Sequence, residues 1–369
     1  MTSAPSNVSQ DALRGKAVYL FAFDVAYEIL PVTAPTLLGQ PLTTFSLDES
    51  KRRPRELLFF RPQMIHLPGL ERHGPRGMVR LHRTVKLLPV GVMSVAVSAD
   101  FEAARIEDLA AYHEPSFDGE PLEDLAHALA AKALDELRPF CVRPYARPLS
   151  EEAYTVFCVN GPRPRALEWL ATHRRAIAAA LAEERRTDRL SDQEAEETTG
   201  RALSYYHEDL AVVDWDAALL VDAPHAFEET LHVLELANVQ LASLESYDRF
   251  LDAVISRAYS DLRARGPRRR RRILTDLREI RIDLARLNDE MSNLTKFFGD
   301  WHLARIYERA AERFHLDDWR RIVGDKLRML DQIYEMIQHD HFNRWMIALE
   351  AMIVALFVLD VALLFLGRR

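Results

Sequence analysis

Cysteine is almost missing from this chain: of 369 residues only Cys141 and Cys158 carry a thiol, and neither lies in a CxxC or histidine-rich setting. That argues against a disulfide framework and for a reducing compartment. A positive balance is missing too, since the net charge of -8 argues against nucleic-acid binding by the whole surface. The N-terminus MTSAPSNVSQDALRGKA is polar, contains Asp11 and has no apolar h-region, so it does not read as a signal peptide. It also lacks the Arg-rich, acid-free pattern of a transit peptide. The bulk of the chain is therefore expected to stay on the side of a membrane where it is made.

Catalytic signatures are equally scarce. There is no GxGxxG. Gly69 and Gly74 have the Walker spacing, but Pro75 stands where Lys is required. There is no GxSxG and no HExxH, because His207-Glu208 runs on into Asp209-Leu210-Ala211. His339 and His341 are two apart, so a helix points them to different faces. His225 and His232 stand about 10.5 Å apart along a helix, too far to share an ion. Glu208, Asp209, Asp214, Asp216 and Asp222 are close in sequence, but on strands they would scatter over both faces. The sequence thus assigns no catalytic residue, cofactor, metal ligand or small-molecule substrate.

What is present divides the chain in two. With 48% hydrophobic and 28% charged residues it is globular, and its length allows two domains. Residues 1–15 read as a mobile arm and 16–223 as an α+β domain. Strands are predicted at 17–27, 56–65, 78–99 (broken at Pro89–Gly91), 153–159 and, as a pair, 203–223. Helices are predicted at 102–113, 121–138 and 164–186, and SDQEAEETTG (191–200) reads as an acidic surface loop. From 224 to 344 only helical periodicity remains, forming a stalk. One helix runs to about Ala264. A second carries Leu277, Ile280, Leu284, Leu287, Met291, Leu294 and Phe298 at coiled-coil spacing, which suits a hairpin or a subunit seam. A third reaches Phe314. A last one, capped by Asp317, continues without a break into WMIALEAMIVALFVLDVALLFL (345–366), whose only charges are Glu350 and Asp360. At about 1.5 Å per residue those 22 residues span about 33 Å, so they are expected to form a transmembrane anchor.

Several of these residues resemble the required-for-meiotic-nuclear-division family, whose eukaryotic members sit at the mitochondrial inner membrane and support mitochondrial translation. Ala237, Gln240, Leu244, Tyr247, Asp248, Leu251 and Asp252 follow its first helical block. Phe297, Phe298, Asp300, Leu303, Ile306 and Tyr307 follow its Phe-Phe-Trp-Asp block, with Gly299 in place of the Trp. Lys326-Leu327, Leu349-Glu350 and Asp360 match its tail, although Ala351 and Ala348 replace its Trp and Arg. The resemblance implies a membrane-linked role and carries over no active site. The order of α/β domain, long helices and C-terminal apolar segment is also similar to the CorA-type magnesium channels. Their second span and Gly-Met-Asn entrance are missing here.

One charge signal stands out: RARGPRRRRR holds seven arginines, Arg263, Arg265, Arg268, Arg269, Arg270, Arg271 and Arg272. Such runs meet the phosphate of lipid headgroups or of RNA. If the helices over 270–298 and 317–344 run antiparallel, their lengths of about 43 and 42 Å nearly cancel and bring the run level with Trp345 at the headgroups. The expected function is a membrane-anchored, self-associating, non-enzymatic scaffold. It would sit on the cytoplasmic face of a bacterial inner membrane, with itself and membrane lipid as partners. The competing readings are a tether for RNA or the ribosome, a hydrolase whose site is assembled from distant residues, and CorA-like ion transport.

Overall fold

The computed structural model describes residues 13–45, 62–74, 77–113, 116–148, 151–161, 165–263 and 301–366. The chain divides into two compact units. Of the described residues, 13–246 and 301–319 belong to the first unit, and 247–263 and 320–366 to the second.

The first unit is built on a sheet of eight strands: β1 (Leu13–Asp24), β2 (Thr43–Thr44), β3 (Gln63–Gly74), β4 (Gly77–Leu88), β5 (Val92–Ala103), β6 (Glu151–Asn160), β7 (Leu210–Val213) and β8 (Ala217–Asp222). Their spatial order is β7-β8-β6-β1-β5-β4-β3-β2. All neighbours are antiparallel except β6 and β8, which run parallel. The parallel pair needs a crossover, and helices α2 (Ala166–Leu181) and α3 (Asp192–Thr199) lie in that connection.

β1 is central and its run AVYLFAF is buried throughout. Unbroken apolar sequence, as opposed to alternation, is what a strand covered on both faces requires. Tyr19, Phe21 and Phe23 join Val95, Val97 and Phe157 in a core closed by Leu134 and Leu137 of α1 (Leu122–Leu137) and Ile177 of α2. Val18, Leu20 and Ala22 point to the opposite face. That face is met by helix α4 (Phe227–Arg263), whose Asn238 side-chain amide donates to the carbonyls of Leu20 and Glu152 at 3.4 and 3.1 Å. Helix α5 (Trp301–Arg313) ends beside Phe314, which packs edge-on against Tyr154 of β6 with ring centroids 4.9 Å apart. Helices therefore cover both faces of the sheet, a layered α/β arrangement.

Several boundaries differ from the sequence-based expectation for physical reasons. The Pro89–Gly91 break, by contrast, falls where expected: β4 and β5 are separate strands because Gly91, at φ +86°, turns the chain, and its carbonyl accepts the Val25 and Ala26 amides at 3.0 and 3.2 Å. The region predicted as a helix over 102–113 begins as the end of β5 and continues as a short 3-10 helix, Ile106–Tyr112. The acidic stretch expected to be a loop is helix α3. Ser191 caps it by accepting the Glu194 amide at 3.1 Å, and Ala195, Thr198 and Thr199 are buried beneath it. Residues 204–209, predicted as strand, form a turn ahead of β7.

The last helix, α6 (Leu316–Leu366), is one continuous helix of 51 residues. Asp317 and Asp318 occupy its first turn, so Asp317 lies inside the helix, not at the cap. The C-terminal transmembrane helix expected from the sequence is not found. Among the described residues no helix is long and apolar enough to cross a membrane. Glu350 and Asp360 leave only Ala351–Leu359 uninterrupted, nine residues that rise about 14 Å against a hydrocarbon core of about 30 Å. The fold class of the described residues is accordingly mixed α/β, with helices alone in the second unit.

Candidate functional site

In the second unit, α4 and α6 are joined by charge, and each buries apolar side chains. Lys326 Nζ lies 2.7 Å from both Asp248 Oδ1 and Asp252 Oδ1. The two acids are four apart and so share one face of α4. Burial alone would lower the Lys326 pKa, but the two carboxylates raise it above the ordinary value. Leu251 and Val254 of α4 and Val323, Leu330 and Ile333 of α6 are buried. This is a satisfied helix pair.

The far end of α6 is different. Leu356, Phe357, Val358 and Leu359 are exposed by 59%, 69%, 60% and 58%. Successive residues turn by about 100°, so these four go once round the helix. Met346, Ile347, Leu349, Met352, Ile353, Val354, Val361 and Leu363 are exposed as well. A helix apolar on every side is normally a buried one, and an apolar patch of this extent marks an interaction surface. Glu350 and Asp360, read from sequence as acids within a membrane segment, are exposed members of the same helix.

The other residues singled out from sequence fall differently. Arg263 is the last residue of α4, while Arg265, Arg268, Arg269, Arg270, Arg271 and Arg272 lie outside the described residues. The proposed seam Leu277, Ile280, Leu284, Leu287, Met291, Leu294 and Phe298 lies outside them too, as does the antiparallel helix geometry drawn from it. Trp301, which continues that periodicity, is 79% exposed at the start of α5.

One polar cluster was not legible in the sequence. On the sheet face covered by α4, Lys86 of β4 and Ser94 of β5 stand directly opposite each other. Both reach Glu235 of α4: Ser94 Oγ donates to Oε1 at 2.6 Å and Lys86 Nζ pairs with Oε2. His232 Nδ1 is 3.4 Å from Oε2. The Phe45 ring lies 4.3 Å from Lys86 Nζ and 4.6 Å from the His232 ring. Burial would push the Glu235 carboxyl up, but Lys86 and then His232 overcome this and hold it at about 2. The cluster keeps a carboxylate ionised inside the protein and pins α4 to the sheet. Lys86 and Glu235 are 149 residues apart, and no local pattern announces the cluster. Among the described residues no group of three or more His, Cys, Asp or Glu could hold a metal ion.

The sheet and its covering helices define a mixed α/β protein whose clearest unexplained surface is a helix end. The family described as "Uncharacterized protein MJ0711, N-terminal domain" matches residues 14–228, more than half of the sequence. The chain belongs to that family. The match takes in the eight-stranded sheet and α1 to α3. The chain is also similar to Uncharacterized protein MJ0711 of Methanocaldococcus jannaschii, with 28% identity over 163 residues, 44% of this chain and 50% of that one. It thus spans about half the length of the curated relative it matches. The residues that resemble the meiotic-nuclear-division family begin at Ala237, beyond the family match.

Proposed function

We propose that this protein is a self-associating scaffold in which the ends of α6 from two or more copies pack together. The observation that carries this reading is the full turn of exposed apolar side chains at Leu356–Leu359, extended by eight further exposed apolar residues. Covering a large apolar side chain is worth about 1.5–3 kcal/mol, so a stretch of this length favours a partner strongly. A second copy suits it better than a bilayer. The uninterrupted apolar stretch is half the length a bilayer core demands, whereas a helical bundle leaves Glu350 and Asp360 at its wet margins. Ala348, Ala351, Ala355, Val358 and Ala362 recur at spacings of three and four, a narrow seam along which two backbones can approach closely.

Light scattering on the purified protein tests the proposal. The wild type is expected to be an oligomer, and Ala351→Arg with Ala355→Arg to be a monomer of unchanged circular dichroism. Met329→Arg, on an exposed part of α6 outside the stretch, is expected to leave the oligomer intact. A monomeric wild type overturns the reading, as does an oligomer indifferent to the seam arginines or a monomer that binds lipid vesicles through this segment.

A further inference from the structure

The turn between α3 and β7 presents two tyrosines to solvent in a fixed arrangement. Its ends are tied by paired backbone hydrogen bonds between Leu203 and Ala211, both 2.8 Å. Inside it, Asp209 is buried and its Oδ1 accepts the amides of Tyr205 and Tyr206 at 2.9 and 2.7 Å, with Ser204 Oγ 3.2 Å away. An acid that accepts backbone amides in this way fixes a turn. The result is that Tyr205 and Tyr206 remain 59% and 69% exposed although their backbone is anchored. Their rings stand at 84° with centroids 4.7 Å apart. The His302 ring of α5 adds a third wall, 5.5 Å from Tyr205 and inclined at 58° to it.

Acidic groups border this corner. Asp209 Oδ2 is 3.8 Å from His302 Nε2. Glu208 is exposed on the turn itself. The Asp222 carboxyl is raised, first by burial and also by Asp209, while the Ala223 amide and then His225 and His302 oppose the shift. Basic groups are present as well: Arg305 Nη2 lies 3.4 Å from His302 Nδ1, and Arg165 adjoins Ala166, whose amide donates to the His207 carbonyl of the turn at 2.8 Å. Tyrosine faces attract cations within about 6 Å of the ring centroid, and neighbouring carboxylates add to that attraction.

We propose that the Tyr205–Tyr206–His302 corner is a docking site for an arginine side chain presented by a partner peptide. The corner is open, so it cannot enclose a quaternary ammonium from several sides. A planar guanidinium can instead lie flat on one tyrosine and donate in its own plane to a carboxylate such as Glu208, which an ammonium cannot do. The proposal is independent of self-association through α6, since none of its residues lies on that helix.

The test is titration of the full-length protein with hexa-arginine and hexalysine peptides at fixed ionic strength, followed by tyrosine fluorescence. Hexa-arginine is expected to bind more tightly than hexalysine by several-fold. Tyr205→Ala and Tyr206→Ala are each expected to weaken it by about threefold, the size of an exposed cation–ring contact. Tyr206→Phe, which keeps the ring face, is expected to bind as the wild type does, and circular dichroism should confirm that all three variants are folded. Equal binding of the two peptides, with neither alanine variant affecting it, would mean that only diffuse acidic attraction is at work and would overturn the proposal. So would failure of hexa-arginine to bind, or loss of binding in Tyr206→Phe equal to that in Tyr206→Ala.

Discussion

Two helical stretches of this protein are rich in apolar residues around their whole circumference, and they meet opposite fates. Residues 232–244 of α4 are buried without exception, whereas residues 346–361 of α6 are exposed without exception. The difference lies in their polar residues. The buried stretch contains His232, Glu235, Asn238, Gln240 and Ser243, and each makes a specific contact within the first unit or the helix itself: Glu235 with Lys86 and Ser94, Asn238 with two strand carbonyls, Gln240 with the Tyr307 hydroxyl, Ser243 with the Val239 carbonyl. Glu235, Asn238 and Gln240 reach other elements and so favour one seat and one register, because another placement costs them those partners. The exposed stretch has only Glu350 and Asp360, which flank its central run Ala351–Leu359. It is sticky without an internal address, which suits packing against identical copies.

That contrast can be broken most severely at Glu235. Glu235→Ala leaves the Lys86 ammonium buried without its carboxylate, and the expected loss is about 3–5 kcal/mol in chemical denaturation. Lys86→Met in the same chain should recover much of it. The pair also sets a pH dependence. The folded-state pKa of Glu235, about 2, lies below its unfolded value. Its contribution is therefore fully present above about pH 4.3, the unfolded value, and is lost as pH falls towards 2. The acid limb of a stability-against-pH curve should flatten in the Glu235→Ala, Lys86→Met double variant.

Gln240→Ala removes the acceptor of the Tyr307 hydroxyl and opens a small void, with an expected loss of about 1–3 kcal/mol. Lys326→Met, between Asp248 and Asp252 in the second unit, should cost no more than about 1 kcal/mol, since the ion pair is partly screened by water. At the other extreme, Phe357→Glu in the exposed stretch should change unfolding of the first unit by less than about 0.5 kcal/mol while dispersing the oligomer. If it destabilised the first unit by several kcal/mol, the contrast between the two stretches would collapse.

Much of the architecture was readable from pattern. The continuous apolar run in β1, the Pro89–Gly91 break, the change to helical periodicity after Pro224 and the unbroken passage into residues 345–366 all rest on local chemistry, and all appear as elements. The helix α3 was missed because its acid-rich sequence hides three buried positions that only its packing against the first unit reveals. The tyrosine turn reads as strand because Leu203, Tyr205 and the apolar residues after Leu210 mimic alternation. Its signal was Ser204 and Asp209 flanking the two tyrosines, a pairing whose hydrogen bonds depend on the chain already being turned.

The sequence by itself determined where most strands and helices form, because propensity, periodicity and turn chemistry act over a few residues. It also determined that the end of α6 is apolar on all sides. Only the tertiary structure decided which apolar helix is covered and which is left exposed, and that Lys86, Ser94, His232 and Glu235 share one buried site. Side chains up to 149 residues apart acquire their environment only when the sheet and α4 close on each other. Charge, burial and partner are properties of that closure, and no window along the chain contains them.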